Sequence, residues 1–535
     1  MPLILVGLLI LGLTLGIPAA PTSSNKASGA EPAGGHKPRS RQAPNIIVIQ
    51  TDDQDAASLT RRVMPNIVKL LARRGTTFTD YIDSGPLCCP SRAVMLTGQY
   101  GHNNGVLWNN PNPYGDLRGK DNTLPVWLRR AGYHTAHLGK YLNLYARAVG
   151  DPNEVAPGWD DWYTVLEPLN SPLPASYFDY TLRANGHAVE YGSRPRDYVT
   201  RVLNDKAVRL IHRYVPRRKP LFMALDQIAP HTGPNTDPRC RGTALPDPRD
   251  KDLFLNRRLP MPPSFNEADV SDKPSFIRAQ PRLTPQDIAE LKRRNGCRLA
   301  SLRAVDRGVR RVVAALHREH ELGNTAILFT SDNGYLLGEH RAHAKVDPYE
   351  EALHVPLIVR LPRRMRGSNG TPRDLASTVA NIDIAPTILR LAGAKPCNRA
   401  GDCRVLDGRS LLKAIRSDGR RWPHDRGILL ELKGERGPAF MPCEYQGIRT
   451  PHQVFVRYLG AAHTHEGPGP CEPINEVEHY DLRSDPFELR NAFPATPGSR
   501  DARKQKSLSR RLSVLRDCAG IKGRDPEPSS GHYCE

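Results

Sequence analysis

A β-strand is predicted at Asn45-Ile46-Ile47-Val48-Ile49, where β-branched apolar residues follow one another, and the chain continues from it to Asp52-Asp53. Similar short apolar runs alternate with helical patterns through about the first four hundred residues. This alternation is typical of a mostly parallel sheet that is covered by helices. The sequence therefore predicts an α/β fold whose first strand ends at a pair of carboxylates.

Further elements are predicted from the same patterns. Helices are expected at 64–74, 123–131, 298–321 and 385–391, and strands at 135–138, 221–225, 325–330 and 356–360. Between His231 and Leu283 the chain is rich in proline and polar residues, so a long excursion is expected there.

The strand predicted at 325–330 also ends in polar residues, because it continues to Asp332-Asn333-Gly334. Ligands in an open α/β sheet bind beyond the carboxyl ends of the strands, so the two polar ends are expected to converge. Three carboxylates and an amide suit Ca²⁺ or Mg²⁺ and suit zinc poorly. Taken alone, an Asp-Asp pair is more typical of a turn or a helix cap, but two such strand ends in one chain favour a metal site.

A candidate nucleophile lies in Cys88-Cys89-Pro90-Ser91-Arg92. Pro90 suits the first turn of a helix and Gly98 suits its end. Cys88 is then expected just before a helix N-terminus, where free backbone N–H groups and the helix dipole favour a bound anion such as sulfate. A helix start with a disulfide or a buried thiol is the alternative.

This motif, C-x-P-S-R followed by a helix and a glycine, resembles that of the sulfatases, and several other motifs follow in the family's order from Pro44 to Asn491. The resemblance implies an alkaline-phosphatase-like α/β fold, with a large mixed, mostly parallel sheet and a smaller C-terminal α+β domain. It also implies hydrolysis of sulfate esters, on a sulfated sugar or glycosaminoglycan. Cys88 would be converted by the formylglycine-generating enzyme to formylglycine, whose hydrated aldehyde is the nucleophile.

The resemblance also implies a role for each matching residue. Arg92 would stabilise the formylglycine, and Lys140 matches a lysine near the nucleophile. His231 matches a sulfate-binding histidine, and Lys345 matches a lysine that grips sulfate and protonates the leaving oxygen. A divalent cation, usually calcium with magnesium as the alternative, would be held by an oxygen of the modified residue 88 and by four further residues: Asp52, Asp53, Asp332 and Asn333.

One position departs from the family pattern. Many arylsulfatases carry a histidine two residues after the lysine that Lys140 matches, whereas this chain has Leu142 followed by Asn143. We expect Asn143 to contact the formylglycine hydroxyls instead. The combination Cys-Cys-Pro-Ser-Arg with Gly-Lys-Tyr-Leu-Asn most resembles the N-acetylglucosamine-6-sulfatase and extracellular heparan sulfatase branch. A late segment, His479 to Leu489, resembles the "YDL…DPxEL" turn of sulfatase chains.

The chain is expected to have four parts. Residues 1–20 carry an apolar run and then small residues, which is typical of a secretory signal peptide, so a secreted protein is expected, with a lysosomal location as the alternative in a eukaryote. Residues 21–43 have the composition of a disordered linker. The catalytic domain is expected at 44–417 and a C-terminal subdomain at 418–535. No stable membrane insertion is expected.

Cysteine usage and charge add two expectations. Cysteines in an exported chain favour disulfides, and nearest-neighbour pairing is the natural first guess for the eight that remain without Cys88 and Cys89: Cys240, Cys297, Cys397, Cys403, Cys443, Cys471, Cys518 and Cys534. The formal net charge of +20 attracts polyanions in general. The chain shows no nucleic-acid-binding motif, so a sulfated carbohydrate is the expected partner and a solvated basic surface is the alternative.

Two other functions stay open at the level of sequence. Phosphonate monoester and phosphodiester hydrolases of the same superfamily act on tetrahedral anions similar to sulfate, and some use the same modified cysteine. A non-catalytic homologue that binds polyanions is the other rival. Such a protein would be free to lose Cys88 or a metal carboxylate, and this chain has kept all of them.

Overall fold

The computed structural model describes residues 43–109, 111–151, 154–166, 176–217, 219–234, 237–366, 373–463 and 467–535. The predicted signal peptide and all of the predicted linker except residue 43 lie outside them. Ala43–Glu535 form one compact unit. Among the described residues, every helix is too short or too polar to cross a membrane.

A mixed sheet of ten strands forms the centre of the fold. In chain order its strands are β1 (Asn45–Thr51), β2 (Thr76–Phe78), β3 (His134–Gly139), β4 (Asp161–Val165), β5 (Tyr180–Ala184), β6 (His187–Tyr191), β7 (Leu221–Asp226), β8 (Thr325–Ser331), β9 (Leu357–Arg360) and β10 (Arg373–Leu375). Their order across the sheet is β10-β2-β9-β8-β1-β7-β3-β4-β5-β6. The five strands from β8 to β4 are parallel to one another, whereas β9, β5 and β6 pair in antiparallel fashion.

Helices cover both faces of this sheet, and others lie elsewhere in the fold. In chain order the helices are α1 (Pro65–Leu70), α2 (Cys88–Thr97), α3 (Gly101–Asn104), α4 (Pro113–Asp116), α5 (Leu124–Arg130), α6 (Tyr145–Val149), α7 (Val199–Tyr214), α8 (Ser275–Arg278), α9 (Pro285–Arg318), α10 (Glu350–Leu353), α11 (Ile384–Ala392), α12 (Leu412–Ser417) and α13 (Arg500–Leu515). In β1, Ile46 and Val48 pack into the core on one face, while Ile47 and Ile49 pack into the core on the other. Burial on both faces explains why this strand is a continuous apolar run.

The long helix α9 begins earlier than the sequence analysis predicted. It starts at Pro285 instead of residue 298. Thr284 accepts a hydrogen bond from the backbone N–H of Asp287, and the Asp287 side chain accepts one from the N–H of Thr284. This capping box, with proline at the first helical position, is a start signal at the end of the proline-rich excursion.

The C-terminal residues add a second, antiparallel sheet, β11 (Ile428–Lys433), β12 (Met441–Arg449), β13 (Gln453–Ala462) and β14 (Glu472–Asp481), paired in that order. Three two-stranded sheets accompany it: Tyr81–Ile82 with Val379–Ala380, Leu336–Leu337 with His343–Ala344, and Arg436–Gly437 with Gly469–Pro470. The predicted α/β fold is confirmed. The domain boundary between residues 417 and 418 stays a prediction.

Disulfides join each cysteine of the expected set to its nearest neighbour in sequence: Cys240–Cys297, Cys397–Cys403, Cys443–Cys471 and Cys518–Cys534. Cys88 and Cys89 take no part in these disulfides and are buried. Four disulfides indicate that the protein folds in an oxidising compartment.

Candidate active site

Four adjacent parallel strands deliver the polar residues of the site. Asp332 follows β8, Asp52 follows β1, His231 comes after β7, and Lys140 follows β3. The strands are in register, so their carboxyl ends form one edge. The predicted convergence of the two acidic strand ends is therefore observed, at the edge where ligands of open α/β sheets bind.

Cys88 is the first residue of α2 and is 1% exposed. Pro90 lies in the first turn, and Gly98 ends the helix with a φ of 65°, a left-handed conformation that favours glycine. The Cys88 thiol is thus fixed at the positive end of the helix dipole.

Two lysines and a carboxylate surround the Cys88 thiol. Its Sγ lies 2.8 Å from Nζ of Lys345, 3.3 Å from Nζ of Lys140 and 3.7 Å from Oδ1 of Asp52. Two ammonium groups beside one sulfur atom form a binding site for an anion. An anion bound there would place its reacting atom next to residue 88.

Arg92 bridges the carboxylates on one side of the site. Its Nε donates to Oδ2 of Asp332 at 2.9 Å, and Nη2 donates to Oδ2 of Asp52 at 3.4 Å. Nη1 donates to the backbone oxygen of Lys140 at 2.8 Å. The Lys140 ammonium in turn lies 2.6 Å from Asp52. Arg92 therefore reaches Cys88 through Asp52, and its predicted contact with the modified residue stays a prediction.

Asp53 organises the other side of the site. Lys345 forms an ion pair with its Oδ1, Asn333 donates to the same oxygen at 2.7 Å, and Nε2 of His231 lies 3.7 Å from Oδ2. Asp53 has a φ of 67°, which aspartate adopts more readily than most residues. The turn after β1 thus directs Asp52 and Asp53 to two different lysines.

The donor set suits a cation. Ligand atoms of Asp52, Asp53, Cys88 and His231 lie within 4.8 Å of one another. Oδ1 of Asn333 is buried and has no hydrogen-bond partner among the described residues, so it is free to bind a metal. Asp332 is not in this group. Its Oδ1 accepts from the backbone N–H of Asp53 and its Oδ2 accepts from Arg92. Its predicted place among the ligands stays a prediction.

Burial and neighbouring charges set the protonation of the site. Burial raises the pKa of the Cys88 thiol to about 11, although Lys140 and Lys345 act to lower it. Burial lowers the pKa of His231 to about 4 and outweighs the opposing effect of Asp53, so this imidazole is neutral near pH 7.

The two lysines are charged in this site. Burial acts to lower their pKa values, but Asp52 raises the pKa of Lys140 and Asp53 raises the pKa of Lys345, and the net shift is upward for both. The site therefore presents two fixed positive charges near neutral pH.

Lys345 is carried by the hairpin that Leu336–Leu337 and His343–Ala344 form. Its chain neighbours Ala344 and Val346 have left-handed φ angles of 76° and 93°. The backbone of Val346 is held on both sides, since its N–H donates to the Pro86 oxygen at 3.2 Å and its oxygen accepts from the Tyr445 hydroxyl at 3.0 Å. Strained backbone of this kind, when packing holds it, fixes a side chain in a functional position.

The sequence analysis did not single out Arg298, which it placed at the first residue of the helix predicted at 298–321. Arg298 is 3% exposed, donates to the backbone oxygen of Asp53, and lies 3.6 Å from the centre of the Tyr335 ring. It holds the turn that carries Asp53. The available signal was that Arg298 falls among the apolar residues of α9. It was hard to recognise because that helix contains many other arginines.

Asn143, the expected replacement for the family histidine, lies beside the second cysteine of the motif. Its backbone N–H donates to Sγ of Cys89 at 3.1 Å, and its Oδ1 is buried without a hydrogen-bond partner among the described residues. Asn109, which the sequence analysis did not single out, accepts from the backbone N–H of Cys89 at 2.9 Å. The predicted contact of Asn143 with residue 88 stays a prediction.

Comparison with known proteins points to one family. The sulfatase family model matches residues 44–394. An arylsulfatase of Volvox carteri is 33% identical over 522 residues, 91% of this chain and 76% of that protein. N-acetylglucosamine-6-sulfatase of Homo sapiens is 31% identical over 513 residues, 90% of this chain and 86% of that protein. A solved structure in complex with its substrate, D-glucosamine-2-N,6-O-disulfate, has a TM-score of 0.70 and 25% identity, and covers 88% of this chain and 97% of its own.

Proposed function

We propose, from the premise that this chain belongs to the sulfatase family of hydrolases, that it removes sulfate from a sulfated carbohydrate with a formylglycine nucleophile at position 88 and a bound divalent cation. The observation that carries the proposal is the pair of ammonium groups at the Cys88 thiol, from Lys345 at 2.8 Å and Lys140 at 3.3 Å. A sulfate ester is an anion that repels nucleophiles, so its oxygens must be neutralised where the attack occurs.

Conversion of Cys88 gives the site a nucleophile that the thiol does not provide. With a pKa of about 11 the thiol is protonated near pH 7, and a protonated thiol is a poor nucleophile. In the active enzyme the place of Sγ would be taken by the hydroxyls of hydrated formylglycine. The modification would supply one hydroxyl to attack sulfur as the alcohol leaves, and a second hydroxyl whose loss of a proton would release sulfate and restore the aldehyde.

Calcium fits the oxygen atoms at the two acidic strand ends. Asp52, Asp53 and Asn333 would hold it, together with an oxygen of the modified residue 88, and Asp332 completes the predicted set. The buried, unpartnered Oδ1 of Asn333 supports this assignment. A cation there would supply Lewis-acid stabilisation of the sulfate oxygens.

Lys345 and His231 are the two candidates for protonating the leaving oxygen. Lys345 carries a proton near pH 7, whereas His231 is neutral. Nδ1 of His231 lies 2.5 Å from the backbone oxygen of Thr232, which only accepts, so Nδ1 holds the proton of the neutral ring and the Nε2 lone pair faces the site. Because a lone pair cannot donate to a sulfate oxygen, His231 would bind sulfate only after its Nε2 takes up a proton, whereas Lys345 already carries the proton that the leaving oxygen needs, which favours Lys345 as the acid.

Leaving-group dependence tests this division of roles. Lys345→Ala should lose at least about tenfold more activity on a sugar sulfate than on 4-nitrophenyl sulfate, because a nitrophenolate leaves without a proton. His231→Ala should lose similar factors on both substrates. Equal losses on the two substrates in Lys345→Ala would contradict the assignment.

A cavity beside the nucleophile is suited to a sugar. Its volume is about 430 Å³, and its lining includes Leu87 and Val346, the chain neighbours of Cys88 and Lys345. Trp108, Glu435 and Arg436 also line it. An indole ring offers an apolar face to a sugar ring, and the two charged side chains offer hydrogen bonds to its polar groups. A carbohydrate whose sulfate lies at residue 88 would therefore extend over Trp108.

The deciding experiment measures sulfate release from a panel of sulfated mono- and oligosaccharides, with glucosamine 6-sulfate first. Paired aryl sulfate and aryl phosphonate substrates compare this activity with that of a phosphonate hydrolase. Peptide mass spectrometry should find formylglycine at position 88 and an unmodified thiol at Cys89. Cys88→Ala should fold and be inactive, and Trp108→Ala should lose activity on the sugar but keep it on the aryl sulfate. A fully active protein with an unmodified Cys88, or a preference for the phosphonate, would overturn the proposal.

A further inference from the structure

A second group of ligand atoms lies outside the catalytic site. One ligand atom from each of His340, Glu351 and Glu488 lies within 4.8 Å of the other two. Each of these side chains carries a buried polar atom that has no hydrogen-bond partner among the described residues, namely Nε2 of His340, Oε2 of Glu351 and Oε1 of Glu488. Buried polar atoms are nearly always paired, so three unpaired ones in a single cluster point to a missing partner.

The histidine has the surroundings of a metal ligand. His340 is fully buried, and its ring stacks on Tyr349 with centroids 4.1 Å apart. Its Nδ1 lies 2.7 Å from Oε2 of Glu267, which fixes Nδ1 as the donor and leaves the lone pair of Nε2 directed into the cluster. Histidines that bind metals usually donate their other ring N–H to a carboxylate in this way.

The two glutamates lack a countercharge. Among the described residues neither Glu351 nor Glu488 forms an ion pair with a lysine or an arginine; the nearby Arg449 pairs with Glu350 and Asp80 instead. The backbone N–H of Glu350 donates to Oε2 of Glu488 at 3.0 Å, which orients that carboxylate and leaves Oε1 free. Two neighbouring buried carboxylates without a cation are strongly unfavourable.

We propose that His340, Glu351 and Glu488 bind a structural divalent transition-metal ion, with Zn²⁺ as the first candidate. One imidazole nitrogen and two carboxylate oxygens suit zinc, whereas Ca²⁺ and Mg²⁺ prefer ligand sets made of oxygen alone. Glu488 lies in the late DPxEL turn, which contributes no residue to the catalytic site described above.

The site would join two neighbouring segments to a third that is far away in sequence. His340 lies in the hairpin that carries Lys345, Glu351 lies in α10, and Glu488 lies in the C-terminal part of the chain. A metal there would fix the hairpin against both of the other segments. It would thereby hold Lys345, the lysine proposed to bind sulfate, in place.

Elemental analysis of the purified full-length protein tests the proposal without reference to activity. The protein is incubated with ZnCl₂ and CaCl₂, passed through a desalting column, and measured for both metals. About one zinc per chain is expected in the unmodified protein and in Asp53→Ala, which should lose calcium only. Glu488→Gln and Glu351→Gln should each lose at least about tenfold in zinc affinity.

Glu339→Gln is the matched control, because Glu339 is a buried glutamate of the same hairpin whose Oε2 accepts from the backbone N–H of Leu337. It should retain zinc. Circular dichroism of each variant separates loss of metal from loss of fold, and Co²⁺ added to the unmodified protein should give the visible absorption of a low-coordinate cobalt site. Absence of zinc from the folded unmodified protein, or full zinc in Glu488→Gln, would overturn the proposal and leave a proton shared between the carboxylates.

Discussion

Replacement of Arg92 by methionine should cost far more stability than replacement of any arginine at the surface. Arg92 is 4% exposed. Among the described residues it is the only arginine that forms ion pairs with Asp52 and Asp332. Methionine fills much of the same volume but leaves both carboxylates with fewer hydrogen bonds in a buried environment. The variant therefore isolates the electrostatic contribution of the bridge.

The magnitude follows from burial. Removal of one partner from a buried ion pair typically costs about 3–5 kcal/mol, because it leaves an uncompensated buried charge. We expect a loss in this range for Arg92→Met in the calcium-free protein, since Lys140 still pairs with Asp52 at 2.6 Å but no cationic side chain remains within salt-bridge distance of Asp332 among the described residues. A surface pair contributes about 0–1 kcal/mol.

Urea unfolding, followed by circular dichroism at pH 7, measures the difference. Arg511→Met is the matched control, because Arg511 is 30% exposed and pairs at 3.0 Å with Asp425, which is 79% exposed. The control should lose no more than about 1 kcal/mol in the free energy of unfolding. If Arg92→Met lost no more than the control, the buried bridge would not stabilise the fold and the reasoning would be refuted.

Three further results are expected. Asp53→Ala should lower both bound calcium and activity, because it removes an anionic oxygen ligand; unchanged calcium and activity would mean that the strand end is only a turn. The kcat/KM for a sulfated oligosaccharide should fall more steeply with salt than that for an aryl sulfate, since charges more than ~8 Å apart are screened near physiological ionic strength; parallel salt curves would leave the +20 charge as a solvated surface. His102, whose nitrogens face Glu431 and the Cys518 oxygen, has a pKa of about 9: burial acts to lower it, and the Glu431 carboxylate raises it by more. His102→Gln should therefore cost most stability below about pH 6.5 and progressively less as the pH rises through 9; an equal cost at pH 6 and pH 10, measured against His187→Gln at the exposed His187, would argue against a charged pair.

The strands that carry the site were predictable because each signal is local. β1 and β8 are apolar runs buried on both faces, and each is followed at once by acidic residues. Parallel pairing places such ends at one edge, so the convergence of Asp52 with Asp332 follows from topology. The start of α9 was predictable in principle from Thr284-Pro285. It was missed because Pro285 follows a proline-rich stretch and does not stand out there as a helix start.

The roles of buried arginines were harder to predict. Arg298 and Arg92 both enter the core to bind backbone or carboxylate oxygens, and composition alone assigns arginine to the surface. Only the three-dimensional position of Asp53 and Asp332 explains why these two side chains are buried. The same holds for His340, whose partner Glu267 lies 73 residues away in sequence.

The position of Lys345 depends on the C-terminal sheet, which lies beyond the 44–394 region that matches the family model. Tyr445 in β12 holds the backbone next to this lysine, and Leu87 and Val94 of the Cys88 segment pack into the same core as Ile428 and Leu430 of β11. The nucleophile and the lysine that faces it are therefore both braced by residues after 427. Truncation before β11 would expose this core and release the Lys345 hairpin, so the catalytic arrangement requires the C-terminal part of the chain as much as the central sheet.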